Sequence, residues 1–330
     1  MSRTDAPAFW YGGAPIPLWA RVLEPAYRTL RAAHRAVYAS RLRRPWRAPV
    51  PVIVVGNITA GGSGKTPLVL ALVDLLRAQG RHPGVVSRGY GRSGRAACRV
   101  GAASSAAAVG DEPLLIHQCT GVPVAVAPRR AEAVRLLLDA GVDVIVADDG
   151  LQHAALARDL EIAVVDGVRR FGNGRLLPAG PLRDTPARLR RVDFVVCNNG
   201  TPAAGEFSMR LQPLPLEPVA PAAAGTAPPV PPAEVHAVAG LGDPQRFFAT
   251  LRAQGYRVQA HPFPDHHAYR AADFAFDDGR LPLLMTGKDA VKCRALARAH
   301  WWVQPVRAEL AAELRDALLV RLRKPDLAPR

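Results

Sequence analysis

The sequence predicts an α/β protein in which a mainly parallel sheet is flanked by helices, with an N-terminal amphipathic helix and a smaller C-terminal α/β domain. Three observations lead to this class. Continuous Val and Ile runs alternate with helical patterns, which is typical of parallel strands buried on both faces. A stretch with eight prolines in 20 residues, 213–232, separates two such regions. The first 49 residues carry nine Arg against two acidic residues, and their apolar positions recur with helical spacing.

Composition excludes several classes of protein. With 330 residues, 49% hydrophobic and 22% charged, the chain is long enough for two folded domains and too apolar to be disordered along most of its length. Its net charge of +15 predicts an anionic partner: nucleic acid, a membrane surface or a phosphorylated substrate. The four cysteines lack zinc-site spacing. We expect no transmembrane helix, because no run approaches about 18 apolar residues, and no signal peptide.

The N-terminal segment, residues 1–48, is predicted to hold a basic amphipathic helix over 19–42. One face carries the apolar residues Trp19, Leu23, Tyr27, Leu30 and Val37, and the opposite face carries Glu24, Arg28, Arg31 and Arg35. Such a helix can lie in a bilayer interface, with its arginines attracted to anionic lipid. An ordinary surface helix packed on the core fits the same pattern, so both interpretations remain open.

The remaining elements follow in order along the chain. Strands are expected at 52–58, 84–87, 142–147, 161–165 and 193–197, with helices over 68–79 and 130–140, and these form a predicted nucleotide-binding core over 49–212. A proline-rich linker follows over 213–233. The smaller domain, 234–330, is predicted to contain strands at 235–239, 258–261 and 283–286 and helices over 244–254 and 308–323.

A glycine-rich segment between the first strand and the first core helix predicts a phosphate-binding loop. Residues 59–66 comprise Thr59, Ala60, Gly61, Gly62, Ser63, Gly64, Lys65 and Thr66. The glycines let backbone N–H groups turn toward phosphate oxygens, Lys65 reaches the β- and γ-phosphates, and Thr66 offers its hydroxyl to Mg²⁺. The general pattern expects Gly at position 59, but the strand–loop–helix context favours a P-loop NTPase-like core. A glycine-rich turn without a ligand is the alternative.

Two adjacent carboxylates follow a later buried strand. Asp148 and Asp149 stand at its carboxyl end, where open α/β sheets bind their ligands. Two neighbouring carboxylates in a buried position are costly without a cation, so we predict that one of them holds Mg²⁺. The sequence does not choose between the two. His153 follows closely and is a further candidate for this site.

Polar residues in other loops are candidates for binding the acceptor substrate. They lie between or after predicted strands, the usual position of ligand-binding loops in this fold class, and they are Arg88, Tyr90, Asp111, Glu112, Arg130, Asn173 and Arg183. No Asn-Lys-x-Asp element typical of guanine recognition is present, so ATP is favoured over GTP. An arginine can hold a phosphate through paired hydrogen bonds, although each of these arginines is equally suited to a solvated surface.

Taken together, these segments resemble the tetraacyldisaccharide 4′-kinases, the lipid A 4′-kinase family. The resemblance runs in order from about Trp10 to Val303 and is highly specific as a set. It is carried by the blocks 55–67, 87–91, 110–113, 148–153, 166–167, 171–174, 177–183, 240–248, 263–266 and 286–292. Thr59 is no departure by the standard of that family, whereas the proline-rich linker is longer and richer in proline than the family leads us to expect.

The resemblance implies transfer of the ATP γ-phosphate to the 4′-hydroxyl of a tetraacyl glucosamine disaccharide 1-phosphate. It further implies that Asp111 is the base and that His266, from the second domain, supports it as a dyad, with Lys65 at the γ-phosphate. Arg88, Arg130 and Arg183 are then candidates for binding the 1-phosphate of the substrate or for stabilising the charge that develops at the transferred group. From the residues alone, Asp111 capping a helix and His266 stabilising a loop would be the simpler interpretation.

The expected partners follow from the same inferences. They are the lipid-linked disaccharide and an anionic inner-membrane surface, with the protein peripheral on the cytoplasmic face, no nucleic acid, and no obligate protein partner. The nucleic-acid interpretation is weak because no zinc knuckle, RNA-recognition motif or helix-turn-helix spacing is found. A P-loop ATPase or GTPase switch acting with a protein partner remains the alternative function.

Overall fold

The computed structural model describes residues 6–40, 42–220 and 227–323. Its helices are α1 (Ala8–Tyr11), α2 (Leu18–Ala39), α3 (Lys65–Ala78), α4 (Ala106–Val109), α5 (Asp111–Thr120), α6 (Arg130–Leu138), α7 (Pro244–Ala253), α8 (Gly287–Cys293) and α9 (Ala312–Leu322). Its strands are β1 (Val52–Gly56), β2 (Pro83–Ser87), β3 (Cys98–Val100), β4 (Val124–Val126), β5 (Val144–Asp148), β6 (Leu160–Asp166), β7 (Phe194–Asn198), β8 (Phe207–Pro213), β9 (Glu217–Pro218), β10 (Glu234–Ala239), β11 (Arg257–Pro262), β12 (Leu283–Thr286), β13 (Trp301–Gln304) and β14 (Val306–Leu310).

A large, mainly parallel sheet forms the first unit. Within the described ranges it has nine strands in the order β14-β8-β7-β6-β1-β5-β2-β4-β3, and only the outer strands β14 and β3 run antiparallel to their neighbours. The predicted Val/Ile runs form the central strands: β1, β2 and β5 are buried throughout. The expected α/β class with a parallel sheet is confirmed.

Helices cover both faces of this sheet because alternate residues of each strand point to opposite sides. Ile53 and Val55 of β1 pack in the same cluster as apolar residues of α3, α5 and α9. Val52 and Val54 pack in a second cluster with residues of α6. The carboxyl ends of β1 and β5 therefore open between covered faces, at the edge where the candidate site lies.

The C-terminal residues complete the first sheet instead of extending the second unit. The predicted helix over 308–323 is wrong at its start, because Val306–Leu310 forms strand β14 paired antiparallel with β8. The segment alternates: Ala308 is buried between exposed Arg307 and Glu309, which is the period of a half-buried strand. Helix α9 begins only at Ala312, and it packs its leucines on the core of the first sheet.

A smaller parallel sheet forms the second unit, in the order β11-β10-β12-β13-β9 over the described ranges. Part of the expected linker belongs to it: Glu217–Pro218 forms strand β9, which pairs antiparallel with Trp302 and Val303. The expected linker also overlaps the end of β8 at Pro213. Residues 221–226 of that stretch lie outside the described residues.

The N-terminal helix α2 turns its polar face toward the protein. Glu24 is buried and accepts hydrogen bonds from Arg175 and from the backbone of Leu176, while Arg31 and Arg35 contact Asp184. The apolar side chains that remain exposed are Leu18, Trp19, Val22, Leu23 and Leu30, each at least half exposed. Tyr27, expected on the apolar face, instead donates a hydrogen bond to the carbonyl of Arg183.

The packing of α2 is relevant to whether the N-terminal helix lies in a bilayer interface or is an ordinary surface helix packed on the core. Its side chains anchor the helix to the loop before residue 185 through charge and hydrogen bonds and leave a row of large apolar side chains uncovered. The predicted helix over 19–42 includes Arg41, which lies outside the described residues, as do residues 1–5 of the segment. No helix in the described ranges is both long and apolar enough to cross a membrane.

Candidate active site

The glycine-rich loop lies between β1 and α3, as expected. Gly61 and Gly64 have φ angles of 93° and 92°, a left-handed conformation that glycine adopts without strain. The backbone of Ala60 donates to the carbonyl of Pro181, and Thr59 forms a bridge with Leu182, which ties the loop to the segment before residue 183. Lys65 opens α3 and is buried, so its ammonium is held at the sheet edge. Thr66 follows in the first turn of the same helix.

Three side chains hold this loop in shape from outside it. The Asn57 amide donates to Thr59 Oγ1 and to the carbonyl of Gly61. The amide of Asn198, at the end of β7, donates to the carbonyl of Ser63 at 3.0 Å. Arg169 donates to the carbonyl of Gly62 at 2.6 Å. Because these bonds engage loop carbonyls, they favour a backbone arrangement that leaves N–H groups free to face an anion.

Asp148 and Asp149 stand beside Lys65 but have different surroundings. Asp148 is fully buried, and its Oδ1 has no hydrogen-bond partner among the described residues. Burial, reinforced by the charge of Glu112, raises the pKa of Asp148 to about 7. Asp149 lies 3.6 Å from Lys65 Nζ and 2.9 Å from Arg183 Nη1. Burial would raise the pKa of Asp149, but these two cations outweigh it and lower the pKa to about 2.

Asp111 and His266 meet across the two units. Asp111 is the first residue of α5, and its Oδ2 lies 2.9 Å from His266 Nδ1. His266 has a φ of 61°, an uncommon conformation for a residue other than glycine, which aims its ring at the carboxylate. Burial would raise the pKa of Asp111, but the hydrogen bond from His266 and the charges of Lys288 and Lys292 together lower it. Asp111 is therefore ionised at neutral pH.

Two of the four lysines of the chain lie next to this pair. Lys288 Nζ is 3.0 Å from Glu112 and 3.1 Å from Asp265, so it bridges the two units. Burial lowers the pKa of Lys288, but the charges of Glu112 and Asp265 outweigh it and raise the pKa above its usual range. Lys292 Nζ lies 3.0 Å from Asp289 and 3.9 Å from Asp111. The Asp111 carboxylate thus sits in a cationic environment.

The second unit also approaches the phosphate loop directly. A Cβ atom built on Gly242 would lie 3.3 Å from the backbone nitrogen of Gly62. Arg169 donates to the carbonyls of both glycines, and Arg246 forms an ion pair with Asp166 across the same junction. The same hypothetical Cβ lies 3.7 Å from Asp265, the residue before His266. The loop and the Asp111–His266 pair therefore border one cleft.

Several of the predicted substrate residues cluster near the carboxylates. Burial lowers the pKa of Arg130 to about 10, against the charges of Asp148 and Asp149. Burial lowers the pKa of His153 to about 4, and the charges of Arg130 and Arg88 act in the same direction. The Tyr90 ring is exposed, with its centroid 5.0 Å from that of His266. The structure thus brings these side chains to one edge of the sheet.

Asn173 is placed differently from the other predicted substrate residues. Its amide nitrogen donates to the carbonyls of Phe9 and Ala179, and its oxygen accepts from the backbone of Arg175. These bonds shape the loop that precedes Arg183 and join it to α1. Both ends of the Asn173 amide are occupied within the protein, so its visible contacts are structural.

Comparison with known proteins decides the family. The sequence profile described as tetraacyldisaccharide-1-P 4′-kinase matches residues 17–323. The chain belongs to the tetraacyldisaccharide 4′-kinase family. The tetraacyldisaccharide 4′-kinase of Xanthomonas euvesicatoria pv. vesicatoria is 52% identical over 334 residues, which cover 97% of this chain and 96% of the relative. That of Aeromonas salmonicida is 51% identical over 319 residues, with 95% of each chain covered.

A solved member of this kinase family has the same fold. LpxK from Aquifex aeolicus, described as an "apo" form in complex with ATP, superimposes with a TM-score of 0.75 at 28% identity, covering 91% of this chain and 98% of that one. The resemblance inferred from the sequence motifs and the fold class are both confirmed. The family also supports the kinase over the alternative of an ATPase or GTPase switch.

Three residues that support the loop of this kinase family member were not predicted from the sequence. Arg169, Asn57 and Asn198 were not singled out as site residues, although all three contact it. The position of Asn198 at the carboxyl end of a buried strand was the available signal, since such ends meet at the ligand edge. A Cβ on Gly64 would lie 2.2 Å from the Asn198 amide, a contact that requires glycine there.

Proposed function

We propose that this protein transfers the γ-phosphate of ATP to the 4′-hydroxyl of a tetraacyl glucosamine disaccharide 1-phosphate, a step of lipid A biosynthesis. Family membership supports the reaction class, since relatives more than 50% identical carry the name tetraacyldisaccharide 4′-kinase. The observation that carries the assignment of residues is the contact between Asp111 and His266 beside the phosphate loop.

The proposed acceptor chemistry centres on the Asp111 carboxylate. Its lowered pKa keeps it ionised, so it can accept a hydrogen bond, and then the proton, from the 4′-hydroxyl. The hydroxyl oxygen forms a bond to the γ-phosphorus while the bond between that phosphorus and the β–γ bridging oxygen breaks, which releases ADP. His266 orients the carboxylate by donating a hydrogen bond from Nδ1, and the Asp111 carboxyl group itself holds the transferred proton. Because these two residues come from different units, catalysis requires both units to be close.

The proposed nucleotide site uses the loop residues 59–66. Backbone N–H groups around Gly61, Gly62, Ser63 and Gly64 bind phosphate oxygens, and the positive end of α3 adds to this attraction. Lys65 balances charge at the β- and γ-phosphates. Its distance of 3.6 Å from Asp149 shows that it already lies among the carboxylates at this edge.

The donors at this edge fit Mg²⁺. Asp148 Oδ1 is buried without a hydrogen-bond partner in the described structure, and an anion so placed favours a nearby cation. Asp149 is already paired with Arg183 and Lys65, so we assign the direct ligand role to Asp148, together with Thr66 Oγ1. When bound, Mg²⁺ neutralises charge on the phosphates. No group of three or more His, Cys, Asp or Glu in the described ranges forms a metal cluster, and P-loop sites use fewer protein ligands.

The acceptor site is proposed to include Arg88, Tyr90, Glu112, Arg130, His153 and Arg183. Arg88 and Tyr90 are exposed, as a substrate contact requires, and the Tyr90 ring lies beside His266. His153 stays neutral at physiological pH because its pKa is near 4, so it can accept a hydrogen bond from a sugar hydroxyl. Glu112 keeps Lys288 next to Asp111.

The N-terminal helix is proposed to bind the cytoplasmic surface of the inner membrane. Its exposed row, Leu18, Trp19, Val22, Leu23 and Leu30, is apolar and large, and a bilayer interface is the surface that would bury it. The polar face is already used against the protein. A peripheral location of this kind would place the cleft near a lipid-borne acceptor.

The experiment that tests the proposed function is a direct assay. The protein is incubated with ATP, Mg²⁺ and the tetraacyldisaccharide 1-phosphate dispersed in neutral detergent, and the lipid is analysed by mass spectrometry. The expected product is heavier by one phosphate. Hydrolysis of ATP without any phosphorylated lipid would contradict the proposal and favour an ATPase.

A further inference from the structure

A basic cavity lies under the second half of α2, away from the phosphate loop. Its volume is about 340 Å³. Side chains from three places meet in it: Arg31, His34 and Arg35 from α2, Arg47 from the segment before β1, and Arg158 with Arg188 from the segments that flank β6. The cavity, called here the arginine pocket, is partly open to solvent.

The positive charge in the arginine pocket exceeds the negative charge. Five arginines line it, and Asp184 is the one carboxylate in the lining that the described residues provide. Three neighbouring carboxylates offset part of this charge: Asp184 pairs with Arg31 and Arg35, Glu161 pairs with Arg158 and Arg188, and Asp159 pairs with Arg47. Arg31 Nε is buried and lacks a hydrogen-bond partner in the described structure. An additional anion would balance these charges and use guanidinium donors that the protein leaves unused.

The position of the pocket indicates where the anion comes from. It is walled by the same helix whose Leu18, Trp19, Val22, Leu23 and Leu30 are exposed. Because α2 carries the apolar row on one face and Arg31 and Arg35 on the other, a bilayer that buries the row brings lipid phosphates to the same helix. On the opposite side, Gln152 lines the pocket and donates a hydrogen bond to the carbonyl of Asn57, which supports the phosphate loop.

We propose that the arginine pocket binds the phosphate group of a lipid at the membrane surface. The shared chemistry is a phosphate attached to acyl chains, and two sources supply it: the 1-phosphate of the disaccharide acceptor and the phosphate of an anionic glycerophospholipid. The first source rests on the proposed function, and the second does not. None of the arginines in the pocket belongs to the acceptor set Arg88, Arg130 and Arg183.

The test removes two pocket charges without stranding a buried carboxylate. Arg35 and Arg47 have the most exposed side chains among the ion-paired arginines of the pocket, at 43% and 57%. In the double variant R35Q/R47Q, Asp184 keeps Arg31, and Asp159 keeps its hydrogen bond from the backbone of Val52. The control R21Q/R28Q removes the same charge from exposed positions of α2 outside the pocket. Unfolding temperature and ATP binding are measured first, to show that each variant is folded.

Two measurements then separate the sources. The first measurement is made in neutral detergent. If the pocket holds the 1-phosphate, the KM for the disaccharide 1-phosphate should be roughly tenfold higher in R35Q/R47Q than in R21Q/R28Q. The second measurement compares binding to phosphatidylcholine vesicles with and without phosphatidylglycerol. If the pocket holds a phospholipid, R35Q/R47Q should bind several-fold more weakly than the control to vesicles that contain phosphatidylglycerol, and equally to vesicles that lack it. If R35Q/R47Q equals R21Q/R28Q in both measurements, the proposal is wrong. Failure of the wild-type protein to phosphorylate the lipid would instead contradict the proposed function, and the vesicle measurement would still test the pocket.

Discussion

His266 Nδ1 lies 2.9 Å from Asp111 Oδ2, so a side chain of the second unit touches the first residue of α5 in the first. The pair is further linked to Lys292, 3.9 Å from the same carboxylate oxygen, and to Tyr90, whose ring packs near the imidazole. A buried carboxylate with such neighbours is ionised and oriented before substrate arrives. The predictions below follow from this arrangement and from the surfaces around it.

The first prediction concerns the proposed base. Asp111→Asn keeps the size of the side chain but removes its ability to accept a proton, so kcat should fall by about 10²–10⁴-fold. His266→Gln should lower kcat less, because the carboxylate remains and only the hydrogen bond that orients it is lost. Steady-state kinetics with the disaccharide 1-phosphate measures both. ATP affinity, measured by calorimetry, should stay within about twofold in each variant, and a comparable loss of ATP binding would assign Asp111 to the nucleotide site instead.

The second prediction concerns Asp148 and pH. Its pKa in the folded protein is about 7, above the ordinary value of 3.8, so between these values the folded state holds a proton that the unfolded state has lost. Without nucleotide and metal, the free energy of unfolding should therefore fall as pH rises from about 4 to 7, by at most about 4 kcal/mol. Asp148→Asn should remove this decline. Urea denaturation at pH 5 and pH 8 measures it.

The same variant gives a second readout for Asp148. If Asp148 holds Mg²⁺, Asp148→Asn should gain stability at pH 8 without metal and lose nearly all activity with it. A pH dependence of stability identical to that of the wild type would show that Asp148 is not the buried group in question. Retained activity with an unchanged requirement for Mg²⁺ would show that another residue is the ligand.

The third prediction concerns the junction of the two units. Gly242→Val places a branched side chain where even a Cβ lies 3.3 Å from the backbone of Gly62. The two units should then be held apart, and kcat/KM for ATP should fall by roughly tenfold or more. The control is Gly101→Val, because a Cβ at Gly101 meets nothing within 4 Å. Equal kinetics in the two variants would mean that the close approach of Gly242 does not matter for catalysis.

The fourth prediction concerns the exposed row on α2. Trp19→Glu combined with Leu23→Glu should weaken binding to anionic vesicles by at least about tenfold, because each apolar side chain contributes roughly 1.5–3 kcal/mol when buried in lipid. The exposed Val320 on α9 provides the control, since Val320→Glu changes an apolar residue outside the helix. Vesicle flotation measures the difference. If the double variant binds vesicles as well as the control does, α2 is an ordinary surface helix that packs on the core.

The parts of the structure that the sequence predicts well are those where one local rule dominates. Buried parallel strands such as β1 and β5 are continuous Val/Ile runs, and the loop before Lys65 has a spacing that few other functions produce. The edge strand β14 was mistaken for helix because a short alternating segment directly before a true helix merges with its pattern. Strand β14 pairs with β8, about 100 positions earlier in the chain, and a local sequence pattern does not reveal such a long-range contact.

The candidate site shows a similar division. Motif blocks indicated candidate substrate residues, and the structure brings Asp111, His266 and the loop before Lys65 to one cleft. The residues that hold the cleft in shape were not predicted, because Arg169 and Asn198 act through contacts with distant backbone carbonyls. Asn173 is the opposite case. Its motif suggested a contact with the substrate, whereas its side-chain amide forms hydrogen bonds with the protein backbone.

In the proposed reaction, Asp111, oriented by His266, receives the proton of the lipid 4′-hydroxyl while ATP is held on the loop before Lys65. The most direct test is a single-turnover assay of Asp111→Ala with radiolabelled γ-phosphate, ATP, Mg²⁺ and the disaccharide 1-phosphate. We expect this variant to bind ATP with wild-type affinity and to transfer no label to the lipid on the timescale of the wild type. Transfer of label by Asp111→Ala at a rate near that of the wild type would contradict the proposed reaction.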